Sequence, residues 1–209
     1  PVFDEQQRQK IGETALKLIR EVGYSSLGTV EFLLNEDGSF YFMEVNTRIQ
    51  VEHPVSELTS GLDLVKEQIL IAMGNKIPYK QEDIKLRGHA IECRINAEDP
   101  ETFAPWPGTV TAYHVPGGPG IRVDSMLYAG YTIPSLYDSM VAKLLAYGKN
   151  REESIVRMKR ALNEMKIDGI KTNIPFHLKI MDDENFRIGN VSTKFLETYY
   201  YKNHKTALK

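Results

Sequence analysis

At 209 residues, with 26 basic and 28 acidic side chains and a formal charge of -2, the chain has length for one large or two small domains. That balance leaves no electrostatic footprint for nucleic acid, and no run of about 18 apolar residues or signal peptide points to a membrane. The single cysteine, Cys93, has no internal disulfide partner, in keeping with a cytoplasmic, reducing setting, and reads as a buried small hydrophobe.

In chain order, Asp4 to Val22 sets Ile11, Ala15, Leu16, Leu18 and Ile19 at helical spacing, with Asp4 as N-cap. Thr29–Leu34 and Phe40–Asn46 read as strands around Asn35-Glu36-Asp37-Gly38-Ser39, where Asp-Gly is a hairpin signal. A turn centred between Asp37 and Gly38 pairs Leu34 with Tyr41, Phe32 with Met43 and Glu31 with Glu44. That register puts Val30, Phe32, Leu34, Tyr41, Met43 and Val45 on one apolar face, expected to be buried. Glu31, Leu33, Phe42, Glu44 and Asn46 share the other.

Like charges opposed across a sheet are destabilising. The two glutamates are either solvated charges on an exposed face or ligands of a divalent cation. Magnesium is held by one or two carboxylates, with phosphates and water filling its other positions, so the second reading is a magnesium and nucleotide site, and the polar run attached to it favours that reading. Glu44, Asn46, Arg48, Gln50 and Glu52 alternate along this run, and extended backbone would direct them to one side. The Arg48 fork suits a planar oxyanion such as a carboxylate or bicarbonate, and Gln50 adds a neutral donor. Glu52 has the chemistry of a base if burial raises its pKa; the plainer alternative is an Arg48–Glu52 salt bridge. His53 has no second histidine at metal-binding spacing and reads as a structural hydrogen-bonding residue.

Val55–Ser60 and Leu62–Met73 read as helices punctuated by Gly61 and Gly74, and Asn75–Leu86 as a polar connector, with a domain boundary near residue 85. Short strands follow over Gly88–Ala97, Thr109–Val115, Ile121–Asp124 and Met140–Tyr147. Pro116–Gly120 lacks a following helix and a P-loop lysine and reads as a turn. Lys149–Met165 carries Ile155, Met158, Ala161, Leu162 and Met165 on one helical face, and further helices are expected over Ile174–Met181 and Ser192–Tyr199. The fold class expected is α+β.

Four segments carry a family resemblance: Glu44 to Pro54, Arg87 to Pro100, Tyr137 to Met140, and Asp168 to Asn173, in that order and over nearly the whole chain. They resemble the biotin carboxylase family. The resemblance implies the C-terminal part of an ATP-grasp domain over 1–85 and a biotin carboxylase C-terminal α+β domain over 86–209. It implies ATP- and bicarbonate-dependent carboxylation of biotin by way of carboxyphosphate. Glu31 and Glu44 would hold Mg2+ (or Mn2+) on the phosphates of ATP, with Asn46 nearby and Leu33 against the nucleotide. Arg48, Gln50 and the Val51 backbone would bind bicarbonate, and Glu52 would act as base. Arg94 would stabilise the enolate-like form of biotin; its plainer alternative is a salt bridge to Glu92, Glu98 or Asp99. Asp138 orients an arginine or caps a turn and receives no catalytic role, and Lys171 and Asn173 are motif members without a derived one.

In the family, the position matching Pro1 falls inside the ATP-grasp domain, upstream of which lie an N-terminal domain, a glycine-rich lid and ATP-holding side chains. The expectation is therefore a fragment, inactive alone. The implied partners are a biotin carboxyl carrier protein or domain, since the chain has no Met-Lys attachment motif, a carboxyltransferase and a second copy. Arg122 lies in a segment resembling the family's dimer contact, although Pro119 replaces an aromatic seen there in some relatives. Two other readings are a non-catalytic dimerisation or structural module, and an ATP-grasp ligase with another acceptor. The latter would have no reason to carry Arg48–Pro54 or the segment around Arg94.

Overall fold

A capping box starts α1 (Glu5–Glu21). Asp4 accepts the Gln7 backbone N–H at 2.7 Å, and the Gln7 side chain accepts the Asp4 N–H at 3.2 Å, satisfying donors that a first helical turn leaves orphaned. The computed structural model describes residues 3–200 and divides into two compact units, Pro1–Lys85 and Leu86–Lys209.

In the first unit, Ile11, Ala15, Leu16 and Ile19 of α1 line a cavity with Val30 and Phe32, so the helix stripe covers one face of an antiparallel hairpin, β1 (Thr29–Leu34) and β2 (Phe40–Asn46). Glu31 pairs with Glu44 as expected, but a bulge follows, and Phe32 then faces Phe42, Leu33 faces Tyr41 and Leu34 faces Phe40. The cause lies at the turn. Asn35 N–H bonds Ser39 O at 2.9 Å and Gly38 N–H bonds Asn35 O at 3.0 Å, enclosing a three-residue loop, Glu36-Asp37-Gly38, in which Gly38 takes φ +80°. Glycine reaches that conformation without a Cβ penalty.

This loop shifts the pairing by one residue from the two-residue turn expected, and the bulge absorbs Met43 as the extra residue. The face assignment is corrected accordingly. Phe42, opposite Phe32, joins the α1 face, where Phe32 packs edge-on against Phe40 at 5.4 Å and Phe42 at 6.4 Å, while Tyr41 moves to the Leu33 side. The expected burial is also only partial, since Phe42 remains 55% exposed and Met43 48%. α2 (His53–Ser60) and α3 (Leu64–Ala72) follow, and the buried Glu57 carboxylate accepts the Leu64 N–H at 2.8 Å, tying one helix to the start of the next.

In the second unit, β3 (His89–Asn96), β4 (Ala112–His114), β5 (Ile121–Ser125), β6 (Met140–Gly148) and β7 (Lys166–Asp168) form two antiparallel sheets, ordered β3-β6-β5 and β4-β7. Ile91, Cys93 and Ile95 alternate into the core while Glu92, Arg94 and Asn96 take the other face, the period expected of a half-buried strand. Central β6 buries Val141, Ala142, Leu144, Leu145 and Ala146, and α4 (Arg151–Glu164) buries Ile155, Met158, Ala161 and Leu162. All but Leu145 belong to one hydrophobic cluster. α5 (Ile174–Asp182) and α6 (Glu184–Ile188) complete the regular helices.

The differences from expectation are short elements. Thr109–Val115 contributes β4, whose partner β7 is three residues long, and an isolated bridge from Thr109 to Thr132. Helix α6 was not expected, and the helix expected over Ser192–Tyr199 is a π-helical turn at Leu196–Tyr200. Among the described residues no helix is long and apolar enough to cross a membrane.

Candidate active site

The hairpin brings Glu31 and Glu44 face to face, and two side-chain amides bind them. Asn46 Nδ2 donates to Glu31 Oε1 at 2.8 Å and to Glu44 Oε1 at 3.0 Å, and Gln50 Nε2 donates to Glu31 Oε1 at 2.8 Å. These donors answer the like-charge opposition that no basic neighbour within the strands relieves. Leu33, two residues along β1, shares the Glu31 face and is largely exposed.

Extended backbone ends at Asn46, so the expected alternation through Arg48, Gln50 and Glu52 does not persist. Residues 50–53 turn instead into α2: the His53 backbone N–H bonds Gln50 O at 3.2 Å and His53 Nδ1 donates to the same oxygen at 2.7 Å. A proline inside the first turn of α2 favours this start. Gln50 reaches Glu31 through the turn, not through strand periodicity. Arg48 is exposed, with Nη1 bonding Ile49 O at 3.2 Å. Glu52 is exposed at the N-cap of α2, so the burial on which its reading as a base depends is not met within this chain, and Val51 precedes it in the turn.

Two opposed carboxylates with an amide between them are hard oxygen donors of the type magnesium takes. Among the described residues there is no cluster of three or more His, Cys, Asp or Glu able to enclose a metal. The donor set therefore fits a cation that keeps positions for phosphate and water, and not one fully caged by protein.

In the second unit, Arg94 is exposed on the polar face of β3, opposite Lys143. Lys143 lies 3.5 Å from Asp124, whose carboxylate takes both arms of the Arg122 fork at 2.8 and 2.9 Å. Nearby, Glu98 accepts from Asn96 Nδ2 at 3.0 Å and from the Ser139 hydroxyl, and Asp99 accepts from Lys171 Nζ at 2.7 Å. Lys171 also sits 4.1 Å from the Trp106 ring centroid, which supplies the role its motif left open. Asp138 caps a turn by accepting the Met140 N–H at 2.7 Å. Cys93 is 2% exposed, and burial, with Glu92 adding to it, pushes its thiol up to about 12. Sequence reasoning missed the Gln50–Glu31 bond, whose only signal was a second amide near the paired glutamates. It also missed the Lys171–Asp99 bond, which spans 72 residues and leaves no local pattern.

The fold defines the class first: an α+β chain made of a C-terminal ATP-grasp portion and a carboxylase C-terminal domain. The family described as "Biotin carboxylase C-terminal domain" matches residues 92–198, and "Carbamoyl-phosphate synthase L chain, ATP binding domain" matches residues 1–80. "Biotin carboxylase 1" of Bacillus subtilis is 55% identical over 201 residues, covering 95% of this chain and 45% of that protein. "Biotin carboxylase" of Haemophilus influenzae is 57% identical over 197 residues, covering 94% and 44%. The solved biotin carboxylase domain dimer of Hydrogenobacter thermophilus 2-oxoglutarate carboxylase, in complex with MgADP, ADP and bicarbonate, superposes with a TM-score of 0.93 at 48% identity, covering 96% of this chain and 44% of that one. The chain belongs to the biotin carboxylase family. It spans a little under half the length of these relatives.

Proposed function

We propose that this chain carries part of the machinery for ATP- and bicarbonate-dependent carboxylation of biotin presented on a carrier protein or domain. One observation carries the reading: Glu31 and Glu44 oppose each other with Asn46 bonded to both and Gln50 to one. A relative solved with MgADP and bicarbonate supports the substrate classes. Glu31 and Glu44, with Asn46, would hold Mg2+ or Mn2+, and Leu33 would flank the nucleotide. When bound, the metal offsets phosphate charge.

The Arg48 fork, the Val51 N–H and the Gln50 amide hydrogen not given to Glu31 bind bicarbonate. Glu52 takes its proton, and the freed oxygen attacks the γ-phosphorus as ADP leaves. The resulting carboxyphosphate breaks down to carbon dioxide and phosphate. The phosphate so released takes the ureido N–H proton of biotin and the nitrogen attacks that carbon dioxide, while Arg94 faces the negative charge gathered on the ureido oxygen; one such donor is worth about 3 kcal/mol. A carboxyltransferase, a second copy engaged through the Arg122 segment, and a cytoplasmic setting complete the proposal.

In the full gene product, Glu44→Gln is expected to lower bicarbonate-dependent ATP hydrolysis at least about a hundredfold and to raise the magnesium concentration needed for half-maximal rate. An unchanged rate and unchanged metal requirement would refute the assignment.

A further inference from the structure

β3 lies at the edge of its sheet, and an edge strand has outward N–H and C=O groups without a neighbouring strand to pair them. At Arg94 and Asn96 a side chain takes that place. Asn173, the N-cap residue of α5, donates Nδ2 to Arg94 O at 3.0 Å and accepts the Asn96 N–H on Oδ1 at 2.9 Å. Its own N–H donates to Asn96 O at 3.2 Å. The residue is 7% exposed, so its amide is committed to this strand. One helical turn later, His177 Nε2 lies 2.9 Å from the same Arg94 carbonyl. A carbonyl only accepts, so that nitrogen carries the hydrogen.

Four hydrogen bonds from the start of α5 thus converge on the peptide units of Arg94 to Asn96, the backbone that carries the exposed Arg94 side chain. A long side chain inherits the orientation of its backbone, and displacement of a positioned group by about 1 Å can cost a hundredfold in rate. We infer that Asn173 and His177 are positioning residues for biotin carboxylation, acting through Arg94 by locking the strand peptide from which its cation reaches the substrate. The inference rests on the reading of Arg94 given above.

The test uses the full gene product and two rates: bicarbonate-dependent ATP hydrolysis without biotin, and carboxylation of free biotin. Asn173→Asp keeps the acceptor for Asn96 but sets a carboxylate oxygen against the Arg94 carbonyl. His177→Leu removes the second donor, and His177→Gln restores one. Asn173→Asp and His177→Leu are expected to lower kcat for biotin carboxylation about tenfold or more, with biotin-independent hydrolysis and the KM for ATP within about twofold of wild type. His177→Gln recovers most of the lost rate.

If Arg94→Met abolishes biotin carboxylation while Asn173→Asp and His177→Leu retain it, the positioning role is wrong and the Arg94 assignment stands. Retention of carboxylation by Arg94→Met removes both. A parallel fall of the two rates in His177→Leu reduces the contact to a fold-stabilising one and overturns the inference. Should Asn173→Asp not fold, the His177→Leu and His177→Gln pair, at a half-buried position, decides alone.

Discussion

Three donors converge on Asp99: the Lys171 ammonium at 2.7 Å and the backbone N–H groups of Glu101 and Thr102 at 3.0 Å each. The Lys171 hydrogen bond first, then the two backbone N–H groups, hold its carboxyl far below the usual carboxylate range. A carboxyl depressed in the folded state contributes stability that is complete above its unfolded value of about 3.9 and is lost as pH falls from there through the folded value. Asp99→Asn is therefore expected to melt below wild type at neutral pH, by a gap that narrows progressively once pH drops under about 4. Melting curves of both proteins from neutral pH into acid check the sign; a gap that widened in acid would contradict it. The sequence shows Asp99 and Lys171 as two motif residues with no visible link, because a bond across 72 residues has no local period to betray it.

Elements were more legible than their joints. The N-cap at Asp4, the helical stripe of α4 and the alternation of β3 are patterns with a fixed period or offset, and they emerge where the residues place them. The hairpin turn was not settled in the same way, since Asp-Gly serves both two-residue and three-residue loops. Glu31 still pairs with Glu44 because the bulge compensates the loop immediately before the carboxylates. The Pro116–Gly120 segment poses a similar question. It was readable as a turn, but not which glycine the turn requires. Gly120 takes φ +73°, and a Cβ there would lie 2.2 Å from Tyr147 O, whereas a Cβ on Gly117 meets nothing within 4 Å. Gly120→Ala is expected to cost about 3 kcal/mol or more, combining left-handed backbone strain with a clash against main chain. Gly117→Ala should stay within about 0.5 kcal/mol. Urea unfolding midpoints of the two variants separate these outcomes.

Across the whole molecule, burial is uneven. The hydrophobic cluster from Ile91 to Phe195 lies entirely in the second unit. Among the described residues of the first, only Pro54 and Glu57 are buried. A two-stranded hairpin is at best marginally stable by itself, and local opening is easiest where few apolar contacts must break. In the 209-residue chain, backbone amides of β6 and α4 are therefore expected to exchange with solvent slowest, and those of β1 and β2 faster by about a hundredfold or more. Hydrogen exchange followed by mass spectrometry reads this directly, and equal protection of the two units would contradict it.

By itself the sequence determined what is local or segmental: helices and strands of strong period, glutamates facing across a turn, and four ordered segments that name the family. The tertiary structure alone decided where Gln50 turns back, that Lys171 holds Asp99, and that the Asn173 amide replaces a missing strand beside Arg94. The reason is physical. Period and turn chemistry act within a few residues, whereas the meeting of a side chain with a distant backbone depends on how the intervening chain packs, and packing has no signature in a short window.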